Sequence, residues 1–169
     1  MAAYCGGDAS AFEALYVRHR ARLFRFILRS IKVRAVAEDL YQEVWMRVIE
    51  ARRSYRPTAR FTTWLYTIAH NRMVDHWRRR GLSFTSLEEE DAPADAQDPA
   101  RQAEAREALA RFAAALERLP PVQREAFLLH EEAGLTVAEI AAATGANEEA
   151  AKSRLRYAMA KLKAAIDDE

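Results

Sequence analysis

Lys152, Ser153, Arg154 and Arg156 fall within five residues of one another, on a segment whose apolar residues recur at helical spacing. Such a group suits a polyanion: arginine grips guanine O6 and N7 with two donors, and lysine or serine holds phosphate. The stretch around them, residues 136–157, reads TVAEIAAATGANEEAAKSRLRY. Thr136 and Glu139 have the spacing of a capping box, which starts a helix by satisfying its free N–H groups. Gly145 takes the left-handed conformation that ends a helix at little steric cost. Asn147 is a good N-cap for the next helix. Asn147, Glu148 and Glu149 stand at the helix start, where base edges are met; glutamate accepts from cytosine N4, and it equally suits the positive end of a helix dipole. Short helix, glycine turn and longer basic helix is the pattern of a helix-turn-helix, although an ordinary helical hairpin has the same outline.

Two further constellations stand in the first half. Asp39, Gln42, Glu43 and Met46 are spaced i, i+3, i+4 and i+7, so they share one stripe of a helix opposite Leu40, Val44 and Val48. By itself such a stripe reads as a solvated face. Along 61–80, Phe61, Trp64, Leu65, Ile68 and Ala69 fit an apolar stripe, with Trp64 in the core. Tyr66, His70, Arg72, Trp77, Arg78, Arg79 and Arg80 are left for other faces. Arginines interleaved with aromatics suit single-stranded nucleic acid, the cations following phosphates and the rings stacking on bases at about 1–3 kcal/mol each. Arg78–Arg80 read alternatively as a helix end whose cations complement the dipole.

The elements that must carry these residues are helices. Glycine is scarce, with 5 in 169 residues, half the chain is apolar, and strong helix formers abound. The periodicity predicts helices from Asp8 or Ser10 to about Ile31, from Ala35 to Arg53 with Leu40, Val44, Trp45, Val48 and Ile49 inward, and from Phe61 to Arg80. Pro57 places a loop at Ser54–Arg60. A second set begins at Asp98-Pro99 and continues through Leu109, Phe112 and Leu116. It is broken at Pro120-Pro121, runs on to near Gly134, and closes with the helix-turn-helix. Cys5 lies in an expected unstructured start.

The net charge of +1 hides an asymmetry. Residues 1–80 carry 16 Lys/Arg against 7 Asp/Glu, 81–107 carry 2 against 8, and 108–169 carry 8 against 10. Residues 81–97 (GLSFTSLEEEDAPADAQ) lose periodicity and read as a flexible acidic linker. The fold class expected is all-α: a three-helix domain over 7–80, a linker over 81–98, and a four-helix domain over 99–169. One cysteine excludes a disulfide framework and suits a reducing cytosol. No run is apolar enough to span a bilayer. Scattered histidines, no phosphate-binding glycine loop and no nucleophile–base pair leave neither a metal site, a cofactor nor catalysis to propose.

Three segments together carry a family resemblance: AEDLYQEVWMRV (37–48), FTTWLYTIAHNRMVDHWRRR (61–80) and LPPVQREAFLLHEEAGLTVAEIAAATGANEEAAKSRLRYAMAKL (119–162). In this order the chain resembles an extracytoplasmic-function (ECF, group IV) sigma factor of bacterial RNA polymerase. The resemblance implies a promoter-specificity subunit, cytoplasmic and without catalysis of its own. Asp39 and Gln42, with Glu43 and Met46 beside them, would dock on the β′ clamp helices of core polymerase, and the second domain would meet the β flap. The loop 54–60 and the helix after it would bind the −10 element through Tyr55, Arg56, Arg60, Asn71, Arg72, Asp75, Arg78 and Arg79. Asn147, Glu148, Glu149, Lys152, Ser153, Arg154 and Arg156 would meet the −35 element. Glu88, Glu89, Glu90 and Asp91 would thread the polymerase channel later taken by RNA, and an anti-sigma factor would hold the protein inactive. The chain departs from the family where Ala150-Ala151 replaces a small-residue and valine pair, where Glu149 replaces a common glycine, and where Lys32-Val33-Arg34 replaces a glycine-containing turn. The competing reading is a stand-alone helix-turn-helix regulator binding DNA as a dimer, which leaves the Asp/Gln stripe without a task.

Overall fold

The structure is a computed structural model and describes residues 1–80 and 101–167. The acidic linker and the Asp98-Pro99 helix start lie outside the described residues. Eight α-helices carry the chain, with no strand among the described residues: α1 Ala2–Cys5, α2 Ala9–Ile31, α3 Arg34–Glu50, α4 Phe61–Arg79, α5 Arg101–Glu117, α6 Pro121–Glu131, α7 Val137–Thr144 and α8 Glu148–Asp167.

Local chemistry sets the boundaries. Asp8 caps α2, its Oδ1 accepting from the Ser10 and Ala11 amides at 2.9 and 3.3 Å, a contact worth about 1 kcal/mol. The helix ends on Lys32, whose backbone is left-handed at φ 65. The Lys-Val-Arg turn therefore has the geometry of a glycine turn, held by a residue that is strained there. Helix α3 leaves α geometry after Glu50, three residues before the expected end at Arg53, and Ala51–Arg53 forms a 3-10 turn. Pro121 opens α6 at a position where its missing N–H costs nothing.

The first half packs α2, α3 and α4 about Leu23, Phe26, Ile27, Leu40, Val44, Trp45, Leu65 and Met73, all buried. Each fully buried side chain contributes roughly 1.5–3 kcal/mol. Four expectations change. Ile49, expected inward, is 41 % exposed, and Trp64, expected in the core, is half-buried at its surface. Tyr66, assigned to an outer face, is 1 % exposed, its ring edge-on to Phe26 at 5.1 Å. The start of the chain is ordered: Tyr4 is buried against Phe12 at 5.1 Å, and Arg52 lies over its ring and donates to its carbonyl. An aromatic side chain carries enough apolar area to fix even a four-residue helix.

The second half packs α5, α6, α7 and α8 about Leu116, Leu128, Leu129, Leu135, Ile140, Leu155 and Leu162. The halves also meet each other, α2 against α6 and α4 against α7.

Candidate nucleic-acid interface

The helix-turn-helix is built as its residues dictate. Thr136 Oγ1 accepts from the Glu139 amide at 3.3 Å, and the Glu139 carboxylate accepts from the Thr136 amide at 2.9 Å. That backbone bond, reinforced by the Thr136 and Thr63 hydroxyls and by Arg60, holds the Glu139 carboxyl below its ordinary value. Gly145 ends α7 at φ 66, and Asn147 Oδ1 accepts from the Ala150 amide at 2.7 Å to start α8. Ala151, Leu155, Ala158 and Leu162 fasten α8 to the core. Glu149, Lys152 and Arg156 are exposed and Ser153 half-buried, and their i, i+3, i+4, i+7 spacing makes one outward stripe. Glu148 and Asn147 are exposed at its start. Arg154 is half-buried and two positions from both Lys152 and Arg156, so it lies off that stripe.

On α3, Asp39, Gln42 and Met46 are exposed and Glu43 is half-buried, and Ile49 extends the same face. Asp39 makes no ion pair with any described residue. The stripe thus offers a carboxylate, an amide and an apolar end together.

The expected −10 residues separate into two groups. On α4, Asp75 stands between Arg72 at 3.0 Å and Arg78 at 3.6 Å, with Asn71 and Arg79 exposed nearby. A carboxylate one turn from each arginine orients both cations. In the loop, Arg56 is exposed, while Tyr55 packs edge-on against Trp64 at 4.8 Å. That contact leaves Trp64 half-buried at the surface of the core, and burial raises the Tyr55 hydroxyl above its ordinary value. Beside them Ala51, Ser54, Trp64, Ile68, Arg47 and Glu50 line an open cleft of about 310 Å³. Arg60 turns away, its Nη1 on the Glu139 carboxylate at 3.1 Å, with Thr63 donating to the same group at 3.2 Å.

Glu139 is a residue that spacing identified only as a helix cap. His70, which the spacing left for an outer face, has its Nδ1 2.7 Å from Glu125 in a nearly buried pair. Neither partner was legible, because Arg60 and Glu139 lie 79 residues apart and His70 and Glu125 lie 55 apart. Among the described residues no group of histidine, cysteine and carboxylate side chains could hold a metal, and no helix is long and apolar enough to cross a membrane.

Comparison with known proteins agrees with this architecture. The family described as Sigma-70 region 2 matches residues 15–82, and Sigma-70, region 4 matches 109–162. The chain is 36 % identical over 159 residues to the RNA polymerase sigma factor CarQ of Myxococcus xanthus, covering 93 % of this chain and 90 % of that one. It is 35 % identical over 155 residues to the ECF RNA polymerase sigma factor SigK of Mycolicibacterium vanbaalenii, covering 88 % and 78 %. Among solved structures, it resembles the sigma factor RpoE in complex with the anti-sigma factor NepR from Bartonella quintana, with a TM-score of 0.74 and 25 % identity over 95 % of this chain and 99 % of that one. It also resembles CnrH in complex with the cytosolic domain of CnrY, with a TM-score of 0.69 and 28 % identity over 99 % and 96 %. Two region matches in order and relatives of this identity along nearly the whole chain establish that this protein belongs to the sigma-70 family as an ECF sigma factor, a transcription initiation factor in a family not made of enzymes.

Proposed function

We propose that residues 7–80 bind core RNA polymerase and the −10 element, that 99–169 read the −35 element and meet the β flap, and that 81–98 join them as an acidic tether. The observation that carries this reading is the pairing of two exposed surfaces. One is the Asp39, Gln42, Glu43 and Met46 face of α3; the other is the Glu149, Lys152, Ser153 and Arg156 stripe of a well-capped recognition helix.

On α3 the Asp39 carboxylate, which pairs with no described residue, accepts a bidentate arginine from the β′ clamp helices, and Met46 and Ile49 supply apolar area beside it. On α8 the stripe enters the major groove; Arg156 reads guanine, Lys152 and Ser153 hold phosphate, and Asn147, Glu148 and Glu149 approach base edges. On α4 Asn71, Arg72, Asp75, Arg78 and Arg79 track the non-template strand as the duplex opens, with Tyr55, Arg56 and Arg60 of the loop around an extruded base. The sigma factors of similar structure are seen with anti-sigma partners, and this chain is proposed to be held by one in the cytoplasm.

The test is reconstitution with sigma-free bacterial core polymerase. Asp39→Arg is expected to abolish core binding and run-off transcription while helix content stays unchanged, because the side chain is exposed and pairs with no other described residue. Retained core affinity in that variant would sink the assignment.

A further inference from the structure

The short helix α1 stands beside the turn that leads into the loop Ser54–Arg60, and Arg52 joins the two. Its Nε donates to the Tyr4 carbonyl at 3.1 Å, and its guanidinium lies 5.1 Å from the centre of the Tyr4 ring. A cation over a ring face and a charge-assisted bond to the same residue together hold one geometry. Arg52 makes no ion pair with any described residue, so Tyr4 is its partner twice over. The Gly7 amide donates to the same carbonyl at 3.1 Å, and Gly7 takes φ 111 as the chain turns into α2. The far side of α1 is anchored: Tyr4 is buried against Phe12, which meets Trp45 of α3 edge-on at 5.9 Å.

The other end of this clamp is the start of the loop itself. Arg52 belongs to the 3-10 turn Ala51–Arg53, and the Ala51 carbonyl accepts from the Ser54 and Tyr55 amides at 3.0 and 2.8 Å. The Tyr55 ring then meets Trp64 edge-on at 4.8 Å. Burial first, and then Cys5 of α1, raises the Tyr55 hydroxyl, so α1 also reaches the loop directly. Tyr55 and Arg56 follow Arg52 so closely that a shift of the turn must move both. A pocket for an extruded base discriminates only when the residues that line it are held in place by others behind them. We infer that α1 is a brace for promoter reading: Tyr4, gripped by Arg52, fixes the 3-10 turn and with it the position from which Tyr55 and Arg56 meet the −10 bases. Tyr4 and Arg52 are positioning residues, acting through the loop. The inference rests on the promoter reading of that loop given above.

The experiment uses holoenzyme formed from the full chain and core polymerase. The probe is a short duplex spanning a start site mapped with the parent by run-off transcription, together with its single-base variants across the −10 element. Anisotropy titrations give the ratio of affinities between the best and the worst base at each position. Tyr4→Ala and Arg52→Met are expected to narrow that ratio about three- to tenfold, while core affinity and −35 preference keep the parent's values. Tyr4→Phe keeps the ring and the carbonyl and is expected to keep the parent's ratios. A merely stabilising α1 would lower the melting temperature and leave every ratio unchanged. That result in both Tyr4→Ala and Arg52→Met, or equal narrowing by Tyr4→Phe, would overturn the brace. Tyr55→Ala reports on the reading beneath it. Ratios narrowed by Tyr55→Ala but by neither brace variant strike the brace alone. Ratios unmoved by Tyr55→Ala remove the loop from promoter recognition, and the brace with it.

Discussion

Arg156 places its guanidinium 5.2 Å from the centre of the Tyr157 ring, on the exposed side of α8. The ring limits the orientations of a long side chain before DNA arrives, which lowers the entropy cost of a specific contact. Lys152 has no such support. The two should therefore behave differently in holoenzyme binding to promoter DNA. Arg156→Ala is expected to cost about 1–3 kcal/mol and to relax preference at one base position. Lys152→Ala should weaken all sequences alike and reduce the slope of log affinity against log salt by about 1. Anisotropy titrations over a set of single-base promoter variants separate the cases, and a uniform loss for Arg156→Ala would make it a phosphate contact. Arg154 illustrates a limit at this scale: its residue type fits DNA, but its position in the helix turns it away from the stripe.

At the scale of the element, the turns show where backbone strain resides. Gly145 has φ 66 and no atom within 4 Å of where a Cβ would stand. Gly145→Ala therefore meets no clash, and its expected cost of about 1–2 kcal/mol is the strain of a left-handed alanine. Lys32 adopts nearly the same φ with a side chain in place. Lys32→Gly should raise stability by about 0.5–1 kcal/mol, the relief of strain being partly offset by glycine's freedom in the unfolded chain. The weak donation from Lys32 Nζ to the Glu117 carbonyl at 3.5 Å is also lost. Urea unfolding of both variants measures this, and a destabilised Lys32→Gly would mean that the contacts of Lys32 outweigh its strain. In α4, the Asp75 pairs with Arg72 and Arg78 follow from helical spacing alone, whereas the burial of Tyr66 follows from Phe26 on another helix.

For the molecule as a whole, charge makes stability sensitive to acid. Burial first, and then Arg18 and Arg22, lower the His19 value, while burial, Arg80 and Arg79 lower that of His76, with Glu43 opposing. A histidine depressed in the folded state leaves the unfolded chain binding more protons. The associated stability is therefore complete above the ordinary value of 6.5 and declines as pH falls below it. Glu139 is also depressed, so its contribution is complete above its ordinary 4.5 and is lost as pH falls through the lower folded value. Melting temperature should thus fall between pH ~7.5 and ~5.5 and again below about 4.5, and His76→Gln should flatten the first step. A melting temperature constant across the upper interval would refute the histidine assignment.

The helices other than α1, the caps at Thr136 and Asn147 and the glycine turn at Gly145 were legible in the sequence alone, which left the start of α2 open between Asp8 and Ser10. Each depends on contacts within four residues and on the periodicity of the apolar face. The Asp39 and α8 stripes were legible for the same reason, since helical spacing assigns a face without knowledge of a partner. Tertiary structure decided the rest. Ile49 keeps the period of a buried face, but no helix among the described residues covers it and it stays 41 % exposed. Tyr4 is buried where Phe12 and Arg52 meet it. The pairing of Arg60 with Glu139, and of Arg25 and Arg29 with Glu132, joins side chains 79 to 107 residues apart. Charge attracts at such sequence distances only after the fold has brought the groups within a few ångströms, so no local pattern encodes which carboxylate meets which cation.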